Sequence, residues 1–244
     1  KEYHELAVNI ETTDQLCITK DYIIVSGSDN KHSNELFVIN RNNLLKMQKL
    51  VKVINKRNRG LIKINNKKNR FYILHYPPRK KIYKKPPLII SIHGGPTANS
   101  KRGYSEERAY WNNNGFGYIE VDYRGSTGYG TDYIRALNGK WGLLDTSDVI
   151  ETINFTLRNH LYEADKIILK GSSAGGMTLL NVLAENNNIP CACCYYPVSD
   201  IQKLLTETHK FESGYTRTLI GDELLKIDSL KLFNERSPIK KIDK

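Results

Sequence analysis

A serine between two glycines is the strongest chemical feature of this 244-residue chain. Gly171-Ser172-Ser173-Ala174-Gly175 fits the pattern Gly-X-Ser-X-Gly. The segment before it, Lys166–Lys170, is predicted to be a strand, and the segment after it, Gly176–Glu185, a helix. Between a strand and a helix, this pattern is typical of a nucleophile elbow, a sharp turn that presents a serine hydroxyl at the edge of a sheet. The alternative is an ordinary glycine-rich turn, and the context favours Ser173 as a nucleophile.

A second motif, His93-Gly94-Gly95-Pro96, directly follows the predicted strand Leu88–Ile92. Acyl transfer needs hydrogen-bond donors at the point where negative charge develops. In the elbow arrangement, one donor is the N–H of the residue after the nucleophile, and the other comes from an earlier strand-to-helix loop. We therefore predict Ala174 and Gly95 as the oxyanion donors, with Gly94 as the second choice for the loop. His93 is interpreted as structural, because the base histidine of this architecture follows the serine in the chain.

Alternating strands and helices from residue 88 onward must position these groups. The run Leu88–Ile92 is apolar apart from Ser91, as expected for a strand covered on both faces. Asp145–Arg158 carries apolar residues at three- and four-residue spacing, which predicts a helix. This alternation predicts an α/β fold, a mostly parallel sheet with helices on both faces. Further predictions are the strands Gly117–Asp122 and Pro190–Tyr196, a helical stretch ending near Asn114-Gly115, and the helices Ile201–His209 and Glu223–Asn234.

The first part of the chain has a different pattern, with short β-branched and aromatic runs and no helix. Predicted strands are Gln15–Thr19, Tyr22–Ser26, Glu35–Asn40, Leu61–Asn65 and Arg70–Tyr76. The first three form a hairpin-like piece with too little material to close a sheet of its own.

The formal net charge is +11, and it is concentrated in one region. Residues 36–105 hold 18 of the 37 Lys and Arg and no Asp or Glu. A basic block can bind nucleic acid. This one lacks the clustered aromatic residues of a single-strand binder, so we interpret it as a solvated surface and regard nucleic acid as an unlikely partner.

Four cysteines exclude a disulfide framework, because Cys17 stands alone and Cys191, Cys193 and Cys194 lie within four residues. No second ligand pair accompanies them, so no metal site is expected. We predict that the trio is buried in a strand and that the thiols are free, which favours a cytoplasmic location. No stretch approaches the roughly 18–20 apolar residues of a membrane helix, so no membrane association is expected.

Six segments in fixed order resemble the catalytic domain of the prolyl oligopeptidase family of serine peptidases, nearest its acylaminoacyl-peptidase and dipeptidyl-peptidase-like branch. They are PLIISIHGGP (87–96), DYRGSTGYG (122–130), NGKWG (138–142) with Asp145, the elbow GSSAG (171–175), YPVSD (196–200) and RSP (236–238). The resemblance covers about residues 60–244, and the ordered set is far more specific than any single motif.

The resemblance implies an α/β-hydrolase fold and a serine-type peptidase that cleaves short peptides through an acyl-enzyme on Ser173, without a cofactor. Members carry a β-propeller before this domain, so residues 1–55 resemble the end of a last blade and residues 56–244 the hydrolase domain. By the same resemblance, Val198, Ile201 and Leu204 line the pocket for the side chain before the scissile bond. The alternative for these three residues is plain core packing.

The sequence departs from the family at its end. The family places its triad Asp and His after the Arg-Ser-Pro segment, and this chain stops at Lys244 before both. Asp200 and His209 are poor substitutes. Because it also begins at Lys1, we expect a truncated piece that is inactive alone and prone to oligomerise through an exposed sheet edge. A carboxylesterase on the same fold and a non-catalytic fragment remain as alternatives.

Overall fold

The computed structural model describes residues 10, 12–28, 35–43, 61–65, 70–186, 188–207 and 210–242. Two compact units emerge from its contacts. The first comprises residues 1–60 with 101–111, and the second comprises residues 61–100 with 112–244. The expected boundary between residues 55 and 56 lies outside the described residues.

The first unit contains a three-stranded antiparallel sheet in the order β1-β2-β3. Its strands are β1 (Thr12–Ile18), β2 (Tyr22–Ser28) and β3 (Glu35–Asn40). All three predicted strands are therefore present, with β1 and β2 longer than expected. Val25 and Ile39 are buried, whereas several large apolar side chains of the same strands stay exposed, namely Leu16, Ile18, Leu36 and Val38.

The second unit is built on a six-stranded mixed sheet in the order β4-β5-β7-β6-β8-β9. Strands β5 and β4 pair antiparallel at one side, and β7, β6, β8 and β9 run parallel. The strands are β4 (Leu61–Asn65), β5 (Arg70–Tyr76), β6 (Leu88–Ile92), β7 (Gly117–Asp122), β8 (Ile167–Ser172) and β9 (Cys191–Tyr195). The carboxyl ends of parallel strands lie at one edge of a sheet, so the loops after β6, β7 and β8 meet there.

Seven α-helices occur among the described residues. They are α1 (Glu106–Asn113), α2 (Thr131–Arg135), α3 (Leu144–Arg158), α4 (Ser173–Glu185), α5 (Ile201–Glu207), α6 (Lys210–Ile220) and α7 (Asp222–Arg236). Short 3-10 turns cover Ala164–Lys166 and Pro238–Lys241. The predicted α/β fold is confirmed, and α2 and α6 are additional to the predicted helices. Position 209, predicted as the end of α5, lies outside the described residues.

The core of the second unit lies between the parallel strands and the helices α3 and α4. Ile90 of β6 and Leu169 of β8 have no exposed surface, and neither do Val149 of α3 and Leu179 of α4. The apolar periodicity that predicted the α3 helix therefore marks its buried face.

The prediction of a buried cysteine trio was wrong. Cys191 and Cys193 are exposed and Cys194 is half-buried. They do lie in a strand, β9, but β9 pairs only with β8 and ends the described sheet. Apolar residue types predicted burial, whereas the place of the strand in the sheet decides it.

No described helix is both long enough and apolar enough to span a bilayer.

Candidate active site

Ser173 lies at a sharp bend between β8 and α4. It is the first residue of α4, and its φ of 51° is in the left-handed region. A residue other than glycine rarely adopts this conformation, and where it occurs it clusters at functional sites. The predicted strand–turn–helix context of the motif is thus present, and the bend holds the Ser173 side chain at the carboxyl edge of the sheet.

Two glycines make the bend sterically possible. A Cβ atom on Gly171 would lie 2.5 Å from the carbonyl oxygen of Gly175. A Cβ on Gly175 would lie 2.3 Å from the carbonyl oxygen of Ile92 and 2.5 Å from that of His93. Real side chains do not approach backbone so closely, so both positions require glycine, and α4 can pack directly on the end of β6.

The loop after β6 lies against the elbow. A Cβ on Gly94 would sit 3.4 Å from Cβ of Ser173 and 3.2 Å from the carbonyl oxygen of Ser172. Gly95 has a φ of 124°, which also favours glycine. The structure therefore brings together the two motifs that the sequence singled out.

Three polar groups at this junction are available for a substrate. Among the described residues, none forms a hydrogen bond with the hydroxyl of Ser173 or with the N–H of Gly95. Ala174 belongs to the first turn of α4, where backbone N–H groups have no partner within the helix. The helix N-terminus adds positive potential at the same point. A hydroxyl beside unengaged N–H donors is the arrangement that acyl transfer uses when a general base is also supplied.

His93 is engaged on both ring nitrogens. Its Nδ1 lies 2.8 Å from the carbonyl oxygen of Gly94, and its Nε2 lies 2.8 Å from the hydroxyl of Ser126. The ring stacks on Tyr123, with centroids 4.4 Å apart. Burial lowers the pKa of His93, partly opposed by the Gly94 carbonyl and by Asp122. The structural interpretation of His93 agrees with these contacts.

The loop after β7 is held by buried ion pairing and hydrogen bonds. Arg124 contacts the carboxylate of Asp148 with its guanidinium at 2.5 to 3.1 Å and with its backbone N–H at 2.8 Å. Asp122 accepts a bond from the N–H of Ser100 at 2.8 Å and from the hydroxyl of Tyr129 at 2.5 Å. Asp148, on α3, thereby fixes the segment that contains Ser126.

A buried carboxylate supports the helix that carries the nucleophile. Asp145 of α3 accepts hydrogen bonds from the N–H of Gly142 at 2.7 Å and from the hydroxyl of Thr178, on α4. Burial raises the pKa of Asp145 to about 6, and the two donors partly oppose that shift.

The three predicted pocket residues have different environments. Val198 lies next to the nucleophile, since its N–H donates to the carbonyl oxygen of Ser173 at 3.3 Å. Val198 and Leu204 are half-buried against the core. Ile201 has no exposed surface, and its N–H donates to the Ser237 hydroxyl at 3.1 Å. Ile201 thus makes core contacts, and Val198 has the access that a pocket wall needs.

Asp200 has a local structural role. Its carboxylate accepts the N–H groups of Gln202 at 2.8 Å and Lys203 at 3.2 Å, at the start of α5. This is how an aspartate caps a helix. His209 lies outside the described residues. Among the described residues, no group of three or more His, Cys, Asp and Glu could hold a metal ion.

Sequence reasoning missed several residues of this site. Tyr215 of α6 contacts the loop after the glycines, with its hydroxyl 2.6 Å from Oγ1 of Thr97 and accepting the Thr97 N–H at 3.2 Å. Tyr123, Ser126 and Asp148 were not assigned a role either. Tyr123 and Ser126 lie in the DYRGSTGYG segment, and that motif could have indicated that they belong to the site. Their contacts depend on tertiary packing, which the motif does not reveal.

Sequence comparison gives one matching family. A profile described as the prolyl oligopeptidase family matches residues 102–244. Dipeptidyl aminopeptidase BIII of Pseudoxanthomonas mexicana is 28% identical over 161 residues, 64% of this chain and 23% of that protein. The acylamino-acid-releasing enzyme of Mus musculus is 28% identical over 176 residues, 70% of this chain and 24% of the enzyme. The chain spans about a quarter of the length of these curated relatives.

Structural comparison points the same way. A puromycin-hydrolyzing peptidase of Mycobacterium tuberculosis superposes with a TM-score of 0.84 at 25% identity, covering 98% of this chain and 38% of that one. The acylaminoacyl peptidase of Pyrococcus horikoshii gives a TM-score of 0.75 at 19% identity, over 96% of this chain and 38% of the other. At that identity the second likeness shows the fold alone.

Proposed function

We propose, from the premise that this chain belongs to the prolyl oligopeptidase family, that it is the nucleophile-bearing part of a serine peptidase that cleaves short peptides. The observation that carries the proposal is the junction of Ser173 with the glycine loop. Ser173 has a positive φ, and the Cα of Gly94 faces it directly. Such a junction places a hydroxyl beside N–H donors, as acyl transfer requires.

In the proposed reaction, Oγ of Ser173 attacks the carbonyl carbon of the scissile peptide bond. The N–H groups of Gly95 and Ala174 donate to the oxygen that becomes negatively charged. The C–N bond then breaks, the amine leaves with a proton, and water hydrolyses the acyl-enzyme to release the acid. A serine needs a general base to attack at neutral pH, and no described histidine reaches the Ser173 hydroxyl. We therefore propose this reaction for the whole protein and not for residues 1–244 alone.

The names of the relatives support peptides as substrates. Their names describe a dipeptidyl aminopeptidase and an acylamino-acid-releasing enzyme. We place the side chain before the scissile bond against Val198, with Leu204 and Ile201 behind it. Because all three are aliphatic, we expect a preference for medium-sized apolar residues rather than strict proline specificity.

The proposal extends to organisation and location. We assign β1–β3 to the end of a β-propeller, since this three-stranded sheet leaves apolar residues such as Leu36 exposed, as expected for part of a larger assembly. We place the protein in the cytoplasm, because its four cysteines are free.

The test is active-site labelling of the full-length protein with a fluorophosphonate probe. We expect the wild-type protein to be labelled on Ser173 and the Ser173→Ala variant to remain unlabelled. Ser172→Ala is the matched control, because it removes the neighbouring hydroxyl and should keep labelling. Labelling that persists in Ser173→Ala would contradict the assignment.

The same protein distinguishes the peptidase from its alternatives. A peptidase should turn over peptide nitroanilides in a Ser173-dependent way, with activity against aryl esters of the same side chains. Turnover of esters without any turnover of the amides would identify a carboxylesterase. If the protein is not labelled and turns over neither amides nor esters, it is non-catalytic.

A further inference from the structure

We propose that His93 is a positioning residue that aims the N–H of Gly95 at the substrate oxygen by holding the carbonyl of Gly94. This inference rests on the proposed function, because it assigns the loop donor to Gly95. The motivating observation is the hydrogen bond of 2.8 Å between Nδ1 of His93 and the Gly94 oxygen.

The argument begins with the peptide unit between Gly94 and Gly95. This bond is trans, so the Gly94 C=O and the Gly95 N–H lie in one plane and point in opposite directions. Holding the carbonyl therefore fixes the direction of the N–H. An oxyanion donor must be pre-aimed, because its contribution depends on not having to reorient during the reaction.

The glycines explain why the peptide needs a restraint. Gly94 has no room for a large side chain, because its Cα faces Ser173, and Gly95 adopts a φ of 124°. Glycine is the residue with the most backbone freedom, so its own conformational preferences hold this loop weakly. A side chain from the preceding residue can supply the restraint that the glycines lack.

The hydrogen bonds also fix the tautomer of the ring. A carbonyl oxygen only accepts, so Nδ1 must carry the proton. In the neutral ring Nε2 is then an acceptor, and the hydroxyl of Ser126, 2.8 Å away, can donate to it. The same hydroxyl also lies 2.7 Å from the Tyr123 carbonyl oxygen, to which it could donate instead, but that oxygen already accepts the Ser126 N–H at 3.0 Å, so the single hydroxyl proton can go to Nε2. All of these groups are satisfied with a neutral His93.

The ring is fixed from its face as well. It stacks on Tyr123 at an interplanar angle of 17°, and the Tyr123 hydroxyl lies 3.1 Å from the carbonyl oxygens of both His93 and Pro96. Oδ1 of Asp122 lies 3.8 Å from Nε2 and already accepts the Ser100 N–H. With both nitrogens engaged, His93 is not free to take the proton of Ser173.

Substitution of His93 by asparagine or by glutamine distinguishes the contribution of Nδ1 from that of Nε2. The amide nitrogen of Asn is as many bonds from Cα as Nδ1, and that of Gln as many as Nε2. We expect His93→Gln to lower kcat on a peptide nitroanilide about 10- to 100-fold with little change in KM, as for a misplaced catalytic group. His93→Asn should recover most of that loss. His75→Asn is the control, because half-buried His75, on β5, bonds the Tyr162 hydroxyl at 2.8 Å and lies outside the elbow and the glycine loop.

A second readout needs no turnover. Long-range 15N NMR should show His93 protonated on Nδ1, and the Gly95 amide resonance should move more in His93→Gln than in His93→Asn. An Nε2-protonated ring, or equal effects of the two variants on kcat and on the Gly95 resonance, would overturn the inference. If the wild-type protein shows no Ser173-dependent turnover, the proposed function fails, and the NMR comparison alone decides the role of His93.

Discussion

The hydroxyl of Thr178 donates to Oδ2 of Asp145 at 2.5 Å, and this bond ties α3 to the helix that begins with Ser173. Neither residue has any exposed surface. The ionised form of a buried carboxylate loses its hydration, which is why the pKa of Asp145 rises from 3.8 to about 6 in spite of two hydrogen bonds.

The first prediction concerns stability against pH. At pH 4 Asp145 is protonated in the folded chain and partly protonated in the unfolded chain, whereas at pH 7 folding must bury its charge. A folded pKa about two units higher makes the free energy of unfolding fall by about 2 kcal/mol as pH rises from 4 to 7. Asp145→Asn should remove this loss, so the variant gains on the wild type as pH rises. Urea unfolding at intervals between pH 4 and 7 measures the difference.

Asp222→Asn is the matched control. Hydrogen bonds from Arg217 and Lys226 lower the pKa of half-exposed Asp222. A lowered pKa contributes stability above the unfolded value and loses it as pH falls, so this variant should show a small effect of opposite sign. A wild-type minus Asp145→Asn difference that stays constant with pH would contradict the buried-charge argument.

The second prediction compares two glycines. A Cβ at 175 would meet backbone at 2.3 Å, whereas a Cβ at 214 would meet nothing within 4 Å. Gly175→Ala should cost more than about 3 kcal/mol of unfolding free energy, because α4 must move away from β6. Gly214→Ala should add about 0.5–1 kcal/mol, because alanine restricts the unfolded chain and suits the interior of α6. Denaturant midpoints of the two variants check both signs.

The third prediction concerns the contact of α6 with the glycine loop. Tyr215→Phe removes the hydroxyl that bonds Thr97 and should lower stability by about 0.5–1.5 kcal/mol. In a double-mutant cycle, Thr97→Val and Tyr215→Phe should be coupled by a similar amount. Tyr22→Phe serves as the control, since Tyr22 is 43% exposed against 39% for Tyr215. Additive effects at Thr97 and Tyr215 would show that the contact contributes nothing.

The fourth prediction separates core from pocket. Ile201 is fully buried, so Ile201→Ala should destabilise the fold by about 2–5 kcal/mol and leave the ratio of kcat/KM between substrates unchanged. Val198→Ala should instead change the ratio between Ala and Leu substrates by about 10-fold or more, because Val198 lies beside Ser173. The opposite pattern would restore Ile201 to the pocket wall.

The fifth prediction concerns the thiols of β9. Cys191 and Cys193 are exposed, whereas the thiol of Cys194 contacts the Gly176 carbonyl at 3.7 Å and its pKa is raised by burial and by Cys193. Because thiolates are the reactive form, iodoacetamide at pH 8 should modify Cys191 and Cys193 several-fold faster than Cys194, as read by peptide mass spectrometry. In urea the rates should converge, and equal rates in the folded protein would contradict the prediction.

Local pattern was sufficient for much of the fold. Leu88–Ile92 and Gly117–Asp122 are strands with the bounds predicted, because each is rich in β-branched and other apolar residues and is flanked by turn residues. Helix α6 escaped prediction because Gly214 and the β-branched Thr216 and Thr218 lower helix propensity. Burial of Leu219 and Ile220 at its end stabilises it in the folded chain, and a single sequence does not reveal that packing.

The features of the candidate site also fall into those that local sequence predicts and those that depend on tertiary packing. The elbow was predictable because its glycines and its serine lie within five residues. The contact of His93 with Ser126 depends on the parallel register of β6 and β7, which aligns Ile92 with Val121. The bond of Asp145 with Thr178 depends on helix packing across 33 positions. Residue types alone do not specify such register and packing.

The left-handed φ of Ser173 means that selection for thermal stability and selection for catalysis favour different residues at this position. Glycine adopts this φ without strain, whereas another residue there costs of order 1–3 kcal/mol. A Ser173→Gly variant should therefore melt at a higher temperature than either the wild type or Ser173→Ala, and a laboratory selection for heat resistance alone would enrich it. Serine is thus kept at this strained backbone position only where selection acts on turnover.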